Sequence, residues 1–240
     1  MLSASLSNIE SAARNTLTSY NLLDDTSGLN WALGLGFVVV QRVAWQTLHT
    51  ESVDPALWNA PLSAGFRLAR WTDAAPETLV ASFARARTAI KDAPTGAREV
   101  RQPTWTAQRV REREAELRSG DREHRIIVAV DEATGEVAGL TETALGPRLP
   151  RTCFQEDTAV LSAYRGLGLG LAMKGAMMRW LMAERPQISE VRTTTAADNM
   201  HMRKINTDLG YVTTAILNTV EIDIDALRYA LKRRKKPGAK

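Results

Sequence analysis

A glycine-rich hexapeptide, Arg165-Gly166-Leu167-Gly168-Leu169-Gly170, is the segment of this sequence whose residue types and spacing indicate chemistry most clearly. It follows a predicted strand and opens a predicted helix. Glycines let the backbone come close to a ligand, and the first turn of a helix offers unpaired N–H groups and the positive end of its dipole. The hexapeptide therefore predicts a cradle for a pyrophosphate group.

Other glycine-rich turns offer alternatives to this interpretation. In dinucleotide-binding folds the glycines follow the first strand, and an acidic residue closes the next one. Here the turn comes late in the chain, after a predicted hairpin. A nucleotide-binding P-loop needs Gly-Lys followed by Ser or Thr, a combination that this sequence lacks. A tight turn that only packs a helix on a sheet is the purely structural alternative.

The elements that must position this turn predict an α/β fold of the mixed α+β type, with helices on both faces of a central sheet. From residue 65 the hydrophobic pattern indicates a strand, two helices and three strands, then a helix, a strand, a helix and a final strand region. The strand over 153–161 leads into the glycine turn, and the helix over 168–184 leaves it. The final region is predicted as two strands, over 211–217 and 219–224.

The composition is that of a globular protein of one or two domains, with 240 residues and a net charge of +4. A basic surface suits a polyanionic ligand, and the basic run over 232–240 predicts a solvated, frayed terminus. The single cysteine excludes an internal disulfide and fits a reducing compartment. The sequence shows neither signal-peptide features nor an apolar run long enough to cross a membrane, so we expect a cytoplasmic protein. The three histidines, His49, His124 and His201, fall in no ligand spacing, so we expect no metal site.

The glycine-rich turn and its flanks resemble the acyl-CoA site of the GNAT superfamily of N-acyltransferases. The superfamily pattern is Arg or Gln, two residues, Gly, one residue, then Gly or Ala, and Arg165, Gly168 and Gly170 match it. Downstream, the segments 195–199 and 205–211 resemble the second CoA-binding segment of the superfamily. The resemblance covers roughly residues 65–225, and the predicted element order is also that of the superfamily.

The resemblance implies acetyl-CoA as the co-substrate. The backbone from Arg165 to Gly170 would hold its pyrophosphate, and Asn199 would meet the pantetheine arm. The backbone of Val160 and Leu161 would pair with the pantetheine and the acetyl carbonyl and stabilise a developing oxyanion. The predicted cofactor-binding residues are Val160, Leu161, Ser162, Arg165, Gly166, Leu167, Gly168, Leu169, Gly170, Asn199 and Asn206. Many superfamily members have, at the position of Asn206, a tyrosine that protonates the departing thiolate, and an amide cannot act as that acid.

Direct transfer to an amine needs a base, because an alkyl ammonium has a pKa near ~10.4. The candidates are Glu156 and Asp157, which precede the acetyl-binding stretch, and Glu142 on the probable neighbouring strand. Strand alternation predicts Glu156 on one face and Asp157 on the other, so only one of them can serve, and we favour Glu156. For each acid, an ordinary structural or solvated role is the alternative.

The first fifty residues carry a second, weaker pattern. The segment 30–37 is similar to 206–211, and the predicted order of a helix over 9–15, a strand, a helix and a strand is that of the C-terminal half of a GNAT domain. Tandem-domain actinobacterial proteins such as mycothiol synthase resemble this arrangement most. We therefore predict a partial, degenerate GNAT-like module over 1–52, a linker over 53–64, an acetyltransferase domain over 65–226 and a basic tail over 227–240. The exposed edge of such a half-domain favours pairing with the second domain or with another subunit, as in a homodimer.

The sequence thus predicts an acetyl-CoA-dependent N-acetyltransferase that acts on an amine of a small metabolite or peptide. The main alternative is a non-catalytic acyl-CoA-binding sensor or scaffold, which the absence of the tyrosine motivates. Nucleic-acid binding through the basic tail is a weaker third hypothesis, because the sequence has no basic patch interleaved with aromatic residues.

Overall fold

The computed structural model describes residues 15–92 and 103–234. The helix predicted over 9–15 lies outside this range except for its last residue, and so does the end of the basic run, 235–240. The strands are β1 (Thr16–Leu23), β2 (Val38–His49), β3 (Phe66–Thr72), β4 (Glu123–Asp131), β5 (Val137–Leu145), β6 (Thr152–Val160), β7 (Glu190–Ala196) and β8 (Val212–Asp223). The helices are α1 (Ser27–Leu33), α2 (Glu77–Arg87), α3 (Ala107–Ser119), α4 (Leu169–Glu184), α5 (Met200–Asp208) and α6 (Ile224–Arg234).

The eight strands of the described residues form one mixed sheet in the order β1-β8-β2-β7-β6-β5-β4-β3. The pair β6–β7 is parallel, and the other neighbours are antiparallel. The alternation of β4 shows how the sheet separates two cores. Ile126 and Val128 pack with α2 and α3 on one face, whereas Ile127 packs against α4 on the other. The α/β fold with helices on both faces of a mixed sheet, predicted from the sequence, is confirmed.

The first fifty residues are integrated into this sheet by strand pairing. β2 lies between β7 and β8, and β1 pairs with the far side of β8. The two segments with similar sequences also turn alike, because Gly36 and Gly210, in the turns that follow their helices, have φ angles of 96° and 97°. At these angles glycine is strongly favoured over residues that carry a Cβ. The division of the chain into four segments remains a prediction, but the first segment shares its sheet with the rest.

The segment 53–64, predicted as a linker, is packed on the body of the protein. Its short 3-10 helix, Pro55–Trp58, places the indole of Trp58 in a core, and the indole N–H donates to Leu209 O at 3.1 Å. The approach to α4 is so close that a Cβ on Gly175 would lie 2.5 Å from Trp58 O. The connection therefore holds a fixed place beside α4 and α5.

One expectation about the C-terminal region is wrong. The two strands predicted over 211–217 and 219–224 are one strand, β8, because Asn218 stays in the ladder, opposite Arg42 on one side and Leu22 on the other. The basic tail predicted from residue 227 begins inside α6, where Leu227 is fully buried. The described part of the chain contains no helix long and apolar enough to cross a membrane.

Candidate active site

A cavity of about 850 Å³ opens where β6 and β7 diverge. Within the described chain these strands pair only between Thr152–Phe154 and Glu190–Arg192. Beyond that point β6 continues along β5, and β7 continues along β2. The edges of β6 and β7 that face each other are thus left open, and backbone N–H and C=O groups along them need partners. A ligand in the gap can supply those partners.

The walls of the cavity bring most of the predicted cofactor-binding residues together. Those that line it are Val160, Arg165, Gly166, Gly168, Leu169, Gly170, Asn199 and Asn206. Leu161, Ser162 and Leu167 do not line it. The N–H of Leu161 donates to Ala138 O at 2.9 Å, and its C=O accepts from the N–H of Tyr164 at 2.9 Å. The N–H and the C=O of Leu161 thus each have a partner within the protein.

The glycine-rich turn has the geometry of an anion cradle. Gly166 and Gly168 have φ angles of 82° and 71°, and a Cβ added at either would meet no atom within 4 Å. Gly168 is the N-cap of α4, so no side chain accepts from the first-turn amides of this helix. By contrast, Asn199 caps α5, its Oδ1 accepting from the N–H of Met202 at 3.0 Å. The uncapped amides of α4 and the open space beside them suit a phosphate group.

β6 contains a β-bulge at Glu156 and Asp157, so the alternation predicted for these two side chains does not hold. Gln155 lies opposite Thr143 and Thr158 opposite Thr141, so the two residues between them on β6 oppose the single residue Glu142 on β5. Such an extra residue brings both bulged side chains to one region of the sheet surface. Glu156 and Asp157 both line the cavity, and the expectation that they lie on opposite faces is wrong.

Glu142 lies in a buried ion pair outside the cavity lining. Its carboxylate contacts the guanidinium of Arg87 and lies 3.2 Å from Nε2 of His124, and the Glu142 side chain is 2 % exposed. Burial alone would raise the pKa of Glu142, but the positive charge of Arg87 and the hydrogen bond with His124 outweigh it, so the pKa lies below its ordinary value. Glu142 is therefore an ionised structural partner of Arg87.

The two bulge carboxylates differ in their partners. Oε1 of Glu156 accepts from Nη2 of Arg122 at 2.7 Å. Asp157 has a weaker partner, because Nη2 of Arg87 lies 3.5 Å from its Oδ2 and the same guanidinium contacts Glu142 through Nη1. Partial burial, together with the negative charge of Glu142, raises the pKa of Asp157 to about 6 despite Arg87. Asp157 is thus the carboxylate whose proton affinity suits a base near neutral pH.

Asn206 lies on the cavity wall within a buried amide network. Its Nδ2 donates to Oε1 of Gln46 at 2.8 Å and to Oγ1 of Thr195 at 3.2 Å. Gln46 comes from β2 and is fully buried. The amide thus has defined partners on β2 and β7, and it carries no acidic proton.

Three further residues at or near the site were not predicted from the sequence. Lys174 on α4 and His201 on α5 line the cavity. His124 belongs to a cluster in which one ligand atom each from His124, Glu142 and Glu156 lie within 4.8 Å of one another. Arg87 and Arg122 already pair with the two carboxylates of this cluster. The lone lysine in the apolar stretch Leu169–Ala176 was the available signal for Lys174; none pointed to the histidines.

Solved structures share this fold. A tandem GNAT protein from the clavulanic acid biosynthesis pathway superposes with a TM-score of 0.72 at 23% identity, over 93% of this chain and 68% of that one. A GCN5-related N-acetyltransferase from Sphaerobacter thermophilus gives 0.63 at 16% identity, over 87% of this chain and 60% of that one. One from Kribbella flavida gives 0.53 at 15%, over 92% and 73%. No curated protein is significantly similar to the chain.

The sequence itself identifies the family. The pattern described as "Acetyltransferase (GNAT) family" matches residues 91–211, just over half of the chain. The matched region contains the bulged strand, the glycine-rich turn, α4 and α5, which are the elements that form the cavity. This chain belongs to the GNAT family of acetyltransferases, whose reaction is acyl transfer from acyl-CoA.

Proposed function

We propose that this protein is an N-acetyltransferase that transfers the acetyl group of acetyl-CoA directly to an amine of a small metabolite or peptide. The observation that carries this proposal is one cavity that joins a glycine cradle to a carboxylate with a raised pKa. The cradle, at Gly166 and Gly168, suits the pyrophosphate of CoA, and Asp157 lies on the strand that runs toward it.

The residues present fit acetyl-CoA at each part of the molecule. The uncapped amides at the start of α4 would hold the pyrophosphate, with Arg165 beside them. The open edges of β6 and β7 would bind the amide groups of the pantetheine arm as an added strand would. The bound thioester supplies an activated acyl group. Asn199 and Asn206 line the opposite wall and would fix the arm laterally.

Asp157 would accept the proton of the attacking amine. Its pKa of about 6 leaves it ionised at neutral pH, and its side chain is 44 % exposed, so an acceptor can reach it. Glu156 is held by Arg122 and Glu142 by Arg87, so neither is as free to move a proton. The carboxylates near Asp157 also favour an acceptor that arrives as an ammonium cation, since its charge is then complementary.

The experiment is an assay of thiol release from acetyl-CoA with a panel of small amines, amino acids and short peptides. The proposal expects release that depends on one class of amine and that yields one acetylated product by mass spectrometry. CoA binding without amine-dependent release from any class would instead favour the sensor or scaffold function. Membership in the mycothiol-synthase-like group stays a prediction, which the identity of the acceptor will test. Assembly as a homodimer also stays a prediction, which the molecular mass in solution will test.

A further inference from the structure

Lys174 is a lysine buried in the middle of α4 and in contact with the cavity. Its side chain is 2 % exposed and lines the cavity beside Gly170. In the described part of the chain Nζ has no hydrogen-bond or ion-pair partner, and it lies over the ring of Tyr211, 5.3 Å from the ring centroid. Lysines are almost never buried without a partner, because removing the ammonium from water costs free energy. A ligand group in the cavity can supply the missing partner.

Among the residues that the structure describes, no charged group neutralises Lys174. On the strands that pack on α4, Glu123 and Arg125 pair at the far end of the helix, with Arg185 and Glu184. The charged or titratable groups that face the same cavity are Glu156, Asp157, Tyr164, Arg165, His201, Lys204 and Asp208. None of these seven forms an ion pair with Lys174 among the residues that the structure describes. Burial is the cause that lowers the pKa of Lys174 to about 7.

The other hydrogen-bond donors near the cavity are engaged, buried away from it or exposed to solvent. The hydroxyl of Tyr164 donates to Oδ2 of Asp131 at 3.0 Å. Tyr211 does not line the cavity, and burial raises the pKa of its hydroxyl far above the ordinary value. The Nδ2 of Asn206 donates to Gln46 and Thr195. His201 is exposed on the first turn of α5, where solvent reaches it.

We propose that Lys174 is the proton donor to the sulfur of CoA as the acyl group leaves. This inference rests on the proposed function. As the C–N bond to the acceptor forms and the C–S bond breaks, the sulfur keeps the bonding electron pair and takes a proton from Nζ of Lys174. The amine of Lys174 that remains is neutral and regains a proton from water. Asp157 takes the proton that the acceptor amine loses, so the step is balanced.

The direct test is the titration of the thiol of bound CoA, followed by the ultraviolet absorbance of its thiolate. The comparison is between the parent protein and a Lys174→Met variant, both saturated with CoA as verified by calorimetry. Methionine is similar in length and apolar, so it suits the buried site. At or below pH 7, where Lys174 of the parent still carries its proton, the cation stabilises the thiolate, and the thiolate fraction is expected to be about tenfold or more above that in Lys174→Met. Lys204→Met is the matched control, because Lys204 lines the same cavity but pairs with Asp208, and it should leave the thiol titration unchanged.

A second readout separates proton donation from a packing role. Lys174→Met should lose roughly 10²-fold in kcat with acetyl-CoA, but far less with its selenoester analogue, because a selenolate leaves without a proton. Equal losses with both donors, or the same thiol titration in parent and variant, would overturn the role of Lys174 and leave acyl-CoA binding intact. Failure of the folded parent to bind CoA would overturn the proposed function and this inference together.

Discussion

Oε1 of Gln46, on β2, accepts a hydrogen bond of 2.8 Å from Nδ2 of Asn206, on the α5 wall of the cavity. This bond joins a strand from the first fifty residues to a residue of the candidate active site. β2 lies between β7 and β8, so it completes the sheet beside the gap where β6 and β7 diverge. The N-terminal segment is thus part of the framework of the site.

We expect Gln46→Leu to lower the free energy of unfolding by about 1 kcal/mol, because Asn206 Nδ2 keeps only its bond to Thr195. Chemical denaturation measures this change. Gln41→Leu, on the same strand but only partly buried, is the control and should change stability less. Equal effects of the two variants would show that the bond between Gln46 and Asn206 contributes nothing specific.

The role of Asp157 predicts the pH dependence of catalysis. Its pKa is raised to about 6, so kcat/KM should rise as the pH increases through about 6 and the base loses its proton. Asp157→Asn should lower kcat roughly 10²-fold and remove this limb of the profile. Glu156→Gln should retain the limb. The opposite pattern, with the limb lost only in Glu156→Gln, would assign the base to Glu156.

Glu142 is expected to act on stability. Replacing it by glutamine leaves the buried Arg87 with only its longer ion pair to Asp157, which should lower the free energy of unfolding at pH 7 by about 3 kcal/mol. The folded-state pKa of Glu142 is lowered, so the contribution of the pair is present above the unfolded pKa of 4.5 and is lost as the pH falls through the folded value. The difference in the free energy of unfolding between parent and variant should therefore decrease at acid pH.

The control for this pair lies on the same helix. Arg85 pairs with Glu136 at the surface, where the side chains are 60% and 50% exposed. Glu136→Gln should change the free energy of unfolding by less than about 1 kcal/mol. A Glu142→Gln variant that is no less stable than Glu136→Gln would contradict the assignment of Glu142 as a structural partner.

The burial of Lys174 predicts that the free energy of unfolding rises with pH in the alkaline range. Its pKa is lowered from 10.5 to about 7, so between these values the unfolded chain binds the proton that the folded protein has lost. Stability due to this group should therefore rise with pH across that range, by an amount on the order of 5 kcal/mol. In Lys174→Met the rise should be absent, which denaturation of both proteins at pH 7 and above measures. Parallel pH profiles of parent and variant would contradict a buried, unpaired ammonium.

The sequence predicts the elements of this fold well, because local hydrophobic periods define them. The strand and helix order from β3 to α5 is confirmed. The pairing of strands that are distant in sequence is not defined by local periods. Nothing in the local pattern of β2 specifies that it lies between β7 and β8, because strand partners are chosen by the assembled sheet.

The site was predictable where it depends on backbone conformation, and less so where it depends on register. The cradle predicted from the glycines has Gly168 at a positive φ, which glycine adopts readily. The positions of Glu156 and Asp157 could not be read from alternation, since one bulge residue reverses every inference about faces. Lys174 was not predicted as a site residue, because a single lysine in an apolar helix is ordinarily expected to reach solvent.

Binding of acetyl-CoA at the glycine cradle is the central claim, and calorimetric titration tests it most directly. The comparison is between the parent, Gly168→Glu and Gly135→Glu. Gly168 and Gly135 have nearly equal φ angles, 71° and 73°, and at both a Cβ would enter open space, but Gly135 lies in the β4–β5 turn and does not line the cavity. Both variants thus carry a similar backbone strain of about 1 kcal/mol, while only Gly168→Glu places a carboxylate in the cradle.

We predict micromolar binding of acetyl-CoA by the parent and by Gly135→Glu, and loss of this binding in Gly168→Glu. Unchanged binding in Gly168→Glu, or no binding by the folded parent, would contradict the account.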